Sequence, residues 1–323
     1  MKRTVLAAVL LAFVFCGSVS AKEKKEDARF ASPYTFTEVI DNYATPVKNQ
    51  YRSGTCWCYS ALSQVESDVV KRKGDSYKDI DLSEMWIVRN TYFDKVMKYV
   101  RMHGQTNLSQ GGAAHDVINM IDAYGIVPEE AYPGLNYGTD LPVFGELDLV
   151  LINFAKSIVE NPNKTLTTAW VPALNAILDS YFGKAPEKFT YKGKEYTPKS
   201  FAQELGIKGS DYVAVTSFTH HPFGEKFILE VPDNWMWGSF LNLPLEDMVA
   251  IADEAVKNGY TLTWASDVSE KGFEHGRGFA VLAATKAEEM DNNERDKWEK
   301  KSTEELAENY SKFKEVIPER SVT

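Results

Sequence analysis

Only three cysteines and five histidines occur among the 323 residues, and the metal-binding spacings HExxH, CxxC and the EF-hand loop do not occur at all. No metal and no cofactor is therefore expected. Positive charge is short as well: 36 Lys and Arg stand against 46 Asp and Glu, a net charge of -10. So acidic a balance argues against nucleic acid or an anionic membrane as partner. The one long apolar run, residues 5–15, is too short to span a bilayer. Preceded by Lys2 and Arg3 and followed by Val19, Ser20 and Ala21, it has the layout of a secretory signal, residues 1–21, cleaved after Ala21. Phe15 stands where a small residue should precede a lipidated Cys16. Export, to a bacterial periplasm or beyond the cell, is the expectation.

Loss of residues 1–21 removes Lys2, Arg3 and no acid, so the charge becomes -12. It also removes Cys16 and leaves Cys56 and Cys58, a spacing at a helix start that seldom makes a good disulfide. Such a protein relies on its core, and about 300 residues is ample for two domains.

The stretch TPVKNQYRSGTCWCYSA, residues 45–61, is the most informative part of the chain. Gln50 precedes Cys56, and Trp57 follows it with an apolar helical pattern through Tyr59, Ala61, Leu62 and Val65. A thiol attacks a carbonyl only as thiolate, and the unpaired N–H groups of a helix's first turn favour that anion. Cys56 is therefore the candidate nucleophile. The tetrahedral intermediate carries a negative oxygen, which a side-chain amide and the Cys backbone N–H would stabilise, and Gln50 is the candidate amide. Ser53 and Gly54 permit a tight turn between the two. Cys58, on the same helix, is expected to be a packed core residue.

These residues resemble the signature of papain-type cysteine peptidases, with Ser53 where many secreted members have a disulfide cysteine. With the PVKNQ lead-in, the chain is similar to the bleomycin hydrolase and aminopeptidase C branch of that family. Further segments fit: DLSE (81–84) before a helix over 85–103, then Gln110, Gly111 and Gly112 opening a helix over 113–124, and GIVPEEAYP over 125–133. Residues 212–223 and 242–273 resemble the branch's sheet-containing domain, and the similarity runs over about residues 35–320. The resemblance implies an α+β, papain-like two-domain fold and a cysteine-type aminopeptidase acting on a peptide substrate. It implies a cleft lined by Gly111, Gly112 and Trp57, and assembly into a homo-oligomeric, hexameric ring.

The partners of a papain-type thiol are a His that takes and returns the proton and an Asn that orients it. His103 and His115 come too early in the chain for that role. His220 and His221 lie in the SFTHHP segment, which the branch carries as a structural strand and turn; being adjacent, on a strand they would point to opposite faces, so they are expected to serve structure, not a shared metal. His275, in FEHGRGF, sits before the place where the branch carries its catalytic His, and Asn-Ser-Trp-Gly is absent. Two expectations follow from this: a chain that has lost the segment bearing His and Asn, which is favoured, or a pseudoenzyme that binds peptides without cutting them.

The expected organisation is a signal over 1–21 and a charged lead over 22–34. A helical domain with the nucleophile helix follows over 35–145, then an inserted helical region over 146–208, broken near 161–163 and 192–194. A sheet-containing domain over 209–323 carries strands at 212–218, 226–231 and 261–265, a helix at 245–258 and a charged C-terminal helix at 286–315. Trp235, Met236 and Trp237 are expected in the core or a subunit contact.

Overall fold

The computed structural model describes residues 40–266 and, as backbone alone, two short strands beyond them. The expected signal, lead, charged C-terminal helix and His275 lie outside the described residues. Helix α1 spans Cys56–Lys73, α2 Glu84–Arg101, α3 Ala114–Tyr124, α4 Gly145–Val159 and α5 Trp170–Phe182. A hairpin of β1 (Phe189–Tyr191) and β2 (Lys194–Tyr196) precedes α6 (Pro198–Leu205), and β3 (Val215–Thr216), β4 (Lys226–Ile228), β5 (Ser239–Asn242) and α7 (Leu245–Lys257) follow. Separately, β6 (Phe273–Glu274) pairs antiparallel with β7 (Phe279–Ala280).

Helix α2 is the centre of the helical part. It starts where Ser83 Oγ accepts the Trp86 N–H at 3.0 Å, an N-cap that satisfies a donor the helix cannot pair itself. Helices α1, α3, α4 and α5 all pack on it, which is why Ile87, Val88, Tyr92 and Val96 are buried on different faces of one helix. Each such side chain contributes roughly 1.5–3 kcal/mol by leaving water. Arg89, also buried, escapes the cost of an unpaired charge by donating to Asp179 of α5 at 2.6 Å.

The α+β class is as expected, but the strands differ in detail. β3 and β5 run parallel, with Val215 opposite Leu241, and β4 joins the other side of β5 antiparallel, with Phe227 opposite Phe240. Residues 261–265, expected as a strand, are irregular: their apolar alternation finds no ladder among the described residues. Strand β5 carries the centre of the sheet instead. The hairpin at 189–196 was expected only as a break near 192–194; Lys192 (φ 46°) and Gly193 (φ 78°) form its tip, the double left-handed turn that suits the twist of paired strands.

Candidate active site

The lead-in to Cys56 is fastened before it reaches the nucleophile. Lys48 Nζ lies 2.7 Å from Glu84, 2.5 Å from Asp81 and 3.4 Å from Glu66, and donates to the Leu82 carbonyl at 3.2 Å. Glu66, on α1, also accepts from Thr45 Oγ1 and, at 2.7 Å, from the Leu82 N–H. Burial alone would push the Lys48 pKa down, but the Glu84 and Glu66 carboxylates outweigh it and hold the ammonium charged. Burial raises Glu84 to about 7 against the pull of Lys48, and raises neighbouring Glu129 to about 8, with the Glu84 charge adding to the effect.

From there the chain turns sharply. Tyr51 adopts φ 48°, a left-handed conformation that a bulky residue rarely takes, and its N–H donates to Asn49 Oδ1 at 2.9 Å. Arg52 bridges to Val143, its N–H donating to the Pro142 carbonyl at 3.1 Å. Ser53 Oγ donates to the Gln50 carbonyl at 2.7 Å and lies 2.6 Å from Thr55 Oγ1. Gln50 is half-buried, and its Oε1 has no hydrogen-bond partner among the described residues.

The Ser53–Thr55 contact has a chemical effect. Thr55 is the N-cap of α1, where its hydroxyl would ordinarily accept an N–H of the first turn, yet it makes no such bond. The N–H groups of Cys56 and Trp57 consequently have no partner among the described residues. The first turn also contains no acid. Cys56 is exposed at this end of the helix, where the leading N–H groups point. Cys58, two residues on, is fully buried, its Sγ facing the Glu84 carbonyl at 3.6 Å. Burial, with the Glu84 charge, pushes its thiol well above the ordinary range, and neither cysteine is in a disulfide.

Gln110 joins the other side to the turn. Its Oε1 accepts the Gly54 N–H at 2.6 Å, its backbone carbonyl accepts the Trp57 indole N–H at 3.0 Å, and its Nε2 donates to Asp148 of α4. Asp148 in turn accepts from Tyr92 Oη at 2.7 Å. A Cβ on Gly112 would come within 2.8 Å of the Trp57 ring, and one on Gly111 within 2.2 Å of the Asp233 carboxylate. Gly112 is thus demanded by close packing against the buried Trp57 ring, whereas at Gly111 the exposed Asp233 side chain is what would have to turn aside. Buried Lys95 donates to the carbonyls of Ser109 and Gly111. Burial lowers its pKa to about 8, with Asp116, Asp233 and Asp148 opposing. Neither Gln110 nor Lys95 stood out in the sequence as a site residue; the QGG triplet was the signal for the first, and nothing local marks the second.

Among the described residues no histidine is hydrogen-bonded to Cys56. His115 sits edge-on to Phe240, ring centroids 5.1 Å apart, with Nε2 3.3 Å from the Asp116 carboxylate, and burial lowers its pKa, partly offset by Asn234. His103 ends the α2 region with φ 51°. The expectation that His220 and His221 point to opposite faces is incorrect. They lie on a turn, not a strand, and both rings reach Glu230 Oε2, at 3.1 and 3.4 Å. Trp235 belongs to the core as expected, while Trp237 is 49% exposed. A hollow of about 190 Å³ lies beside Asn49, Tyr59 and Glu84. A groove of about 570 Å³ runs between residues 104–107 and 228–237; Cys56 lines neither.

Comparison with known proteins adds to this geometry. A family profile described as the Peptidase C1-like family matches residues 12–142. Aminopeptidase C of Lactobacillus delbrueckii subsp. lactis is 25% identical over 279 residues, covering 74% of this chain and 61% of the relative. Aminopeptidase G of the same organism is 24% identical over 261 residues, covering 69% and 59%. The chain thus spans about three fifths of the length of these relatives. The crystal structure of PepW from Lactobacillus rhamnosis HN001 superposes with a TM-score of 0.53 at 21% identity, covering 72% of this chain and 60% of that one, a likeness of fold.

Proposed function

The chain is a Peptidase C1-like protein of the bleomycin hydrolase and aminopeptidase C type, and from that premise we propose that it is a cysteine aminopeptidase acting on peptide N-termini, with Cys56 as nucleophile and Gln50 in the oxyanion hole. One observation carries the proposal: an exposed thiol on the first residue of a helix whose leading N–H groups have no partner among the described residues, preceded six residues earlier by a half-buried glutamine whose amide oxygen is likewise without a partner among them. In the proposed reaction the Cys56 sulfur bonds to the carbonyl carbon, and the displaced electron pair settles on oxygen, where Gln50 Nε2 and the Cys56 N–H stabilise it. Collapse breaks the C–N bond, the amine leaves with a proton, and water then hydrolyses the thioester and restores the thiol. A general acid and base at these proton transfers is worth roughly 100- to 10,000-fold. Slow turnover is part of the proposal, because the Asn-Ser-Trp-Gly sequence that the branch carries does not occur in this chain.

The test is mass spectrometry of the protein incubated with aminoacyl coumarylamides. An acyl adduct on Cys56 that forms and decays slowly, and is missing in Cys56→Ala, is expected. Hydrolysis that survives in Cys56→Ala refutes a thiol mechanism, and equal cleavage of N-blocked substrates refutes an aminopeptidase. Peptide binding of equal strength in both proteins, with no adduct, selects capture without cleavage. Export directed by residues 1–21 is a further part of the proposal, checked by whether the exported form begins at Lys22. So is a hexamer, checked by sedimentation.

A further inference from the structure

His220, His221 and Glu230 form a cluster away from the candidate active site, and the fold holds it in one arrangement. The turn that carries the two histidines is tied by Asn242, which is fully buried on β5. Its Nδ2 donates to the carbonyls of Phe218 at 2.9 Å, His221 at 2.9 Å and Pro222 at 3.2 Å, and its Oδ1 accepts the Phe218 N–H at 2.8 Å. Phe227 packs parallel to the His221 ring, centroids 4.0 Å apart, and Phe218 stands edge-on to His220 at 5.3 Å. Opposite, the residue before Glu230 is fixed on both sides: Leu229 donates to the Gly238 carbonyl at 3.4 Å and accepts from Asn234 Nδ2 at 2.8 Å. Three side chains are thus aimed at one point from two anchored segments.

The spacing fits a metal ion. Zinc held by imidazole nitrogen and carboxylate oxygen at about 2.0–2.1 Å in a tetrahedron sets its ligand atoms about 3.3–3.4 Å apart. His220 Nε2 and His221 Nε2 lie 3.1 and 3.4 Å from the same Glu230 oxygen, and the ligand atoms of all three residues fall within 4.8 Å of one another. Two edges of the tetrahedron are present, and the third, between the two imidazole nitrogens, is no longer than 4.8 Å. Imidazole and carboxylate are the donors that first-row transition metals, zinc above all, accept together. The cluster is partly exposed, His220 at 55% and His221 at 29% of the side chain, so a fourth position faces solvent.

We propose that His220, His221 and Glu230 bind one divalent transition-metal ion, Zn²⁺ by chemistry, with three protein ligands and one open position. The ion would clip the 219–222 turn to the end of β4. The alternative is a carboxylate shared by two histidine hydrogen bonds with no affinity for metal.

The experiment is calorimetric titration of the full chain with Zn²⁺ after Cys56 is blocked by iodoacetamide, so that the free thiol is not a ligand. Co²⁺ absorption then serves as the spectroscopic readout. One equivalent of Zn²⁺ and the visible bands of a tetrahedral nitrogen and oxygen site are expected. His220→Ala and Glu230→Gln should each weaken binding at least as much as the roughly 10- to 100-fold that outer-shell substitutions cost. His220 is the most exposed ring, so its replacement keeps the test open even where His221→Ala disturbs the Phe227 contact; circular dichroism checks each fold. Absence of stoichiometric binding by the unsubstituted protein overturns the proposal, as does binding that persists in the His220→Ala/His221→Ala double variant.

Discussion

Replacing Lys48 by Met leaves the volume nearly unchanged and removes one cation from a cluster of carboxylates. Glu66 and Glu84, 1% and 5% exposed, would stay buried with no positive partner. Breaking a buried pair in this way costs about 3–5 kcal/mol, and because the Lys48 side chain is 27% exposed the lower end, about 3 kcal/mol, applies. The cost depends on pH. Burial already raises Glu84 to about 7, above the ordinary carboxylate value, and without Lys48 it rises further. An acid whose folded pKa is raised contributes stability that is complete below its unfolded pKa and is lost as pH climbs through the folded one. The difference between Lys48→Met and the parent should therefore be smallest at acidic pH, well below the value of about 7 at which Glu84 titrates, with Glu66 raised in the same direction by burial. There the hydrogen bond to the Leu82 carbonyl and the exposed pair with Asp81 are what is lost, about 1–1.5 kcal/mol together. Urea denaturation followed by tryptophan fluorescence measures this. At pH 8 the midpoint should fall by roughly 1–2 M, with half that shift or less at low pH. A difference of the same size at both pH values would refute electrostatics as the cause, and one under about 1 kcal/mol at pH 8 would refute burial of the cluster.

The parent protein should itself be more stable near pH 5.5 than at pH 8, because Glu84, Asp116 and Glu129, raised mainly by burial to about 7, 7 and 8, lose their protons across that range. Glu84→Gln should flatten the slope of a thermal-melt series against pH. Iodoacetamide should label Cys56 in the native protein and Cys58 only after unfolding, read by peptide mass spectrometry; equal native labelling would contradict the burial of Cys58. Gly112→Ala should cost about 1–3 kcal/mol by overpacking against Trp57, with a shift in tryptophan fluorescence, and an unchanged spectrum and midpoint would show the ring free to move. Gln110→Ala should slow Cys56 alkylation as the Gly54 turn loosens, by about the factor of 5–10 that a hydrogen bond of roughly 1 kcal/mol represents, and an unchanged rate would separate the turn from the thiol.

The helical part was legible because its signals are local. DLSE ahead of a helix, apolar residues at helical spacing in α2, and a cysteine before a helical pattern each act within a few residues of themselves. The observed α2 and α3 lie within two residues of expectation. The sheet was less legible: β5 reads SFLN, with a buried asparagine at its end, so no apolar alternation announced it. Asn242 is buried because it satisfies a distant turn, which only the folded chain reveals. The same holds for His220 and His221, whose common direction is set by that turn, and for Lys95, whose carbonyl partners belong to another segment. Cys56, Gln50 and Trp57 were picked out as candidates from the order of residues alone, whereas the lack of partners for the first N–H groups among the described residues depends on where the Thr55 hydroxyl goes.

Gln110 links the nucleophile turn to the helical core. Through its amide it couples the Gly54 backbone to Asp148, and through Asp148 to Tyr92 in the middle of α2. The turn in front of the nucleophile therefore reports on the packing of α4 against α2. A substitution such as Asp148→Ala, on a helix that carries no chemistry, would act at Cys56, so a screen for altered thiol reactivity should return changes in α4 as well as changes beside the cysteine.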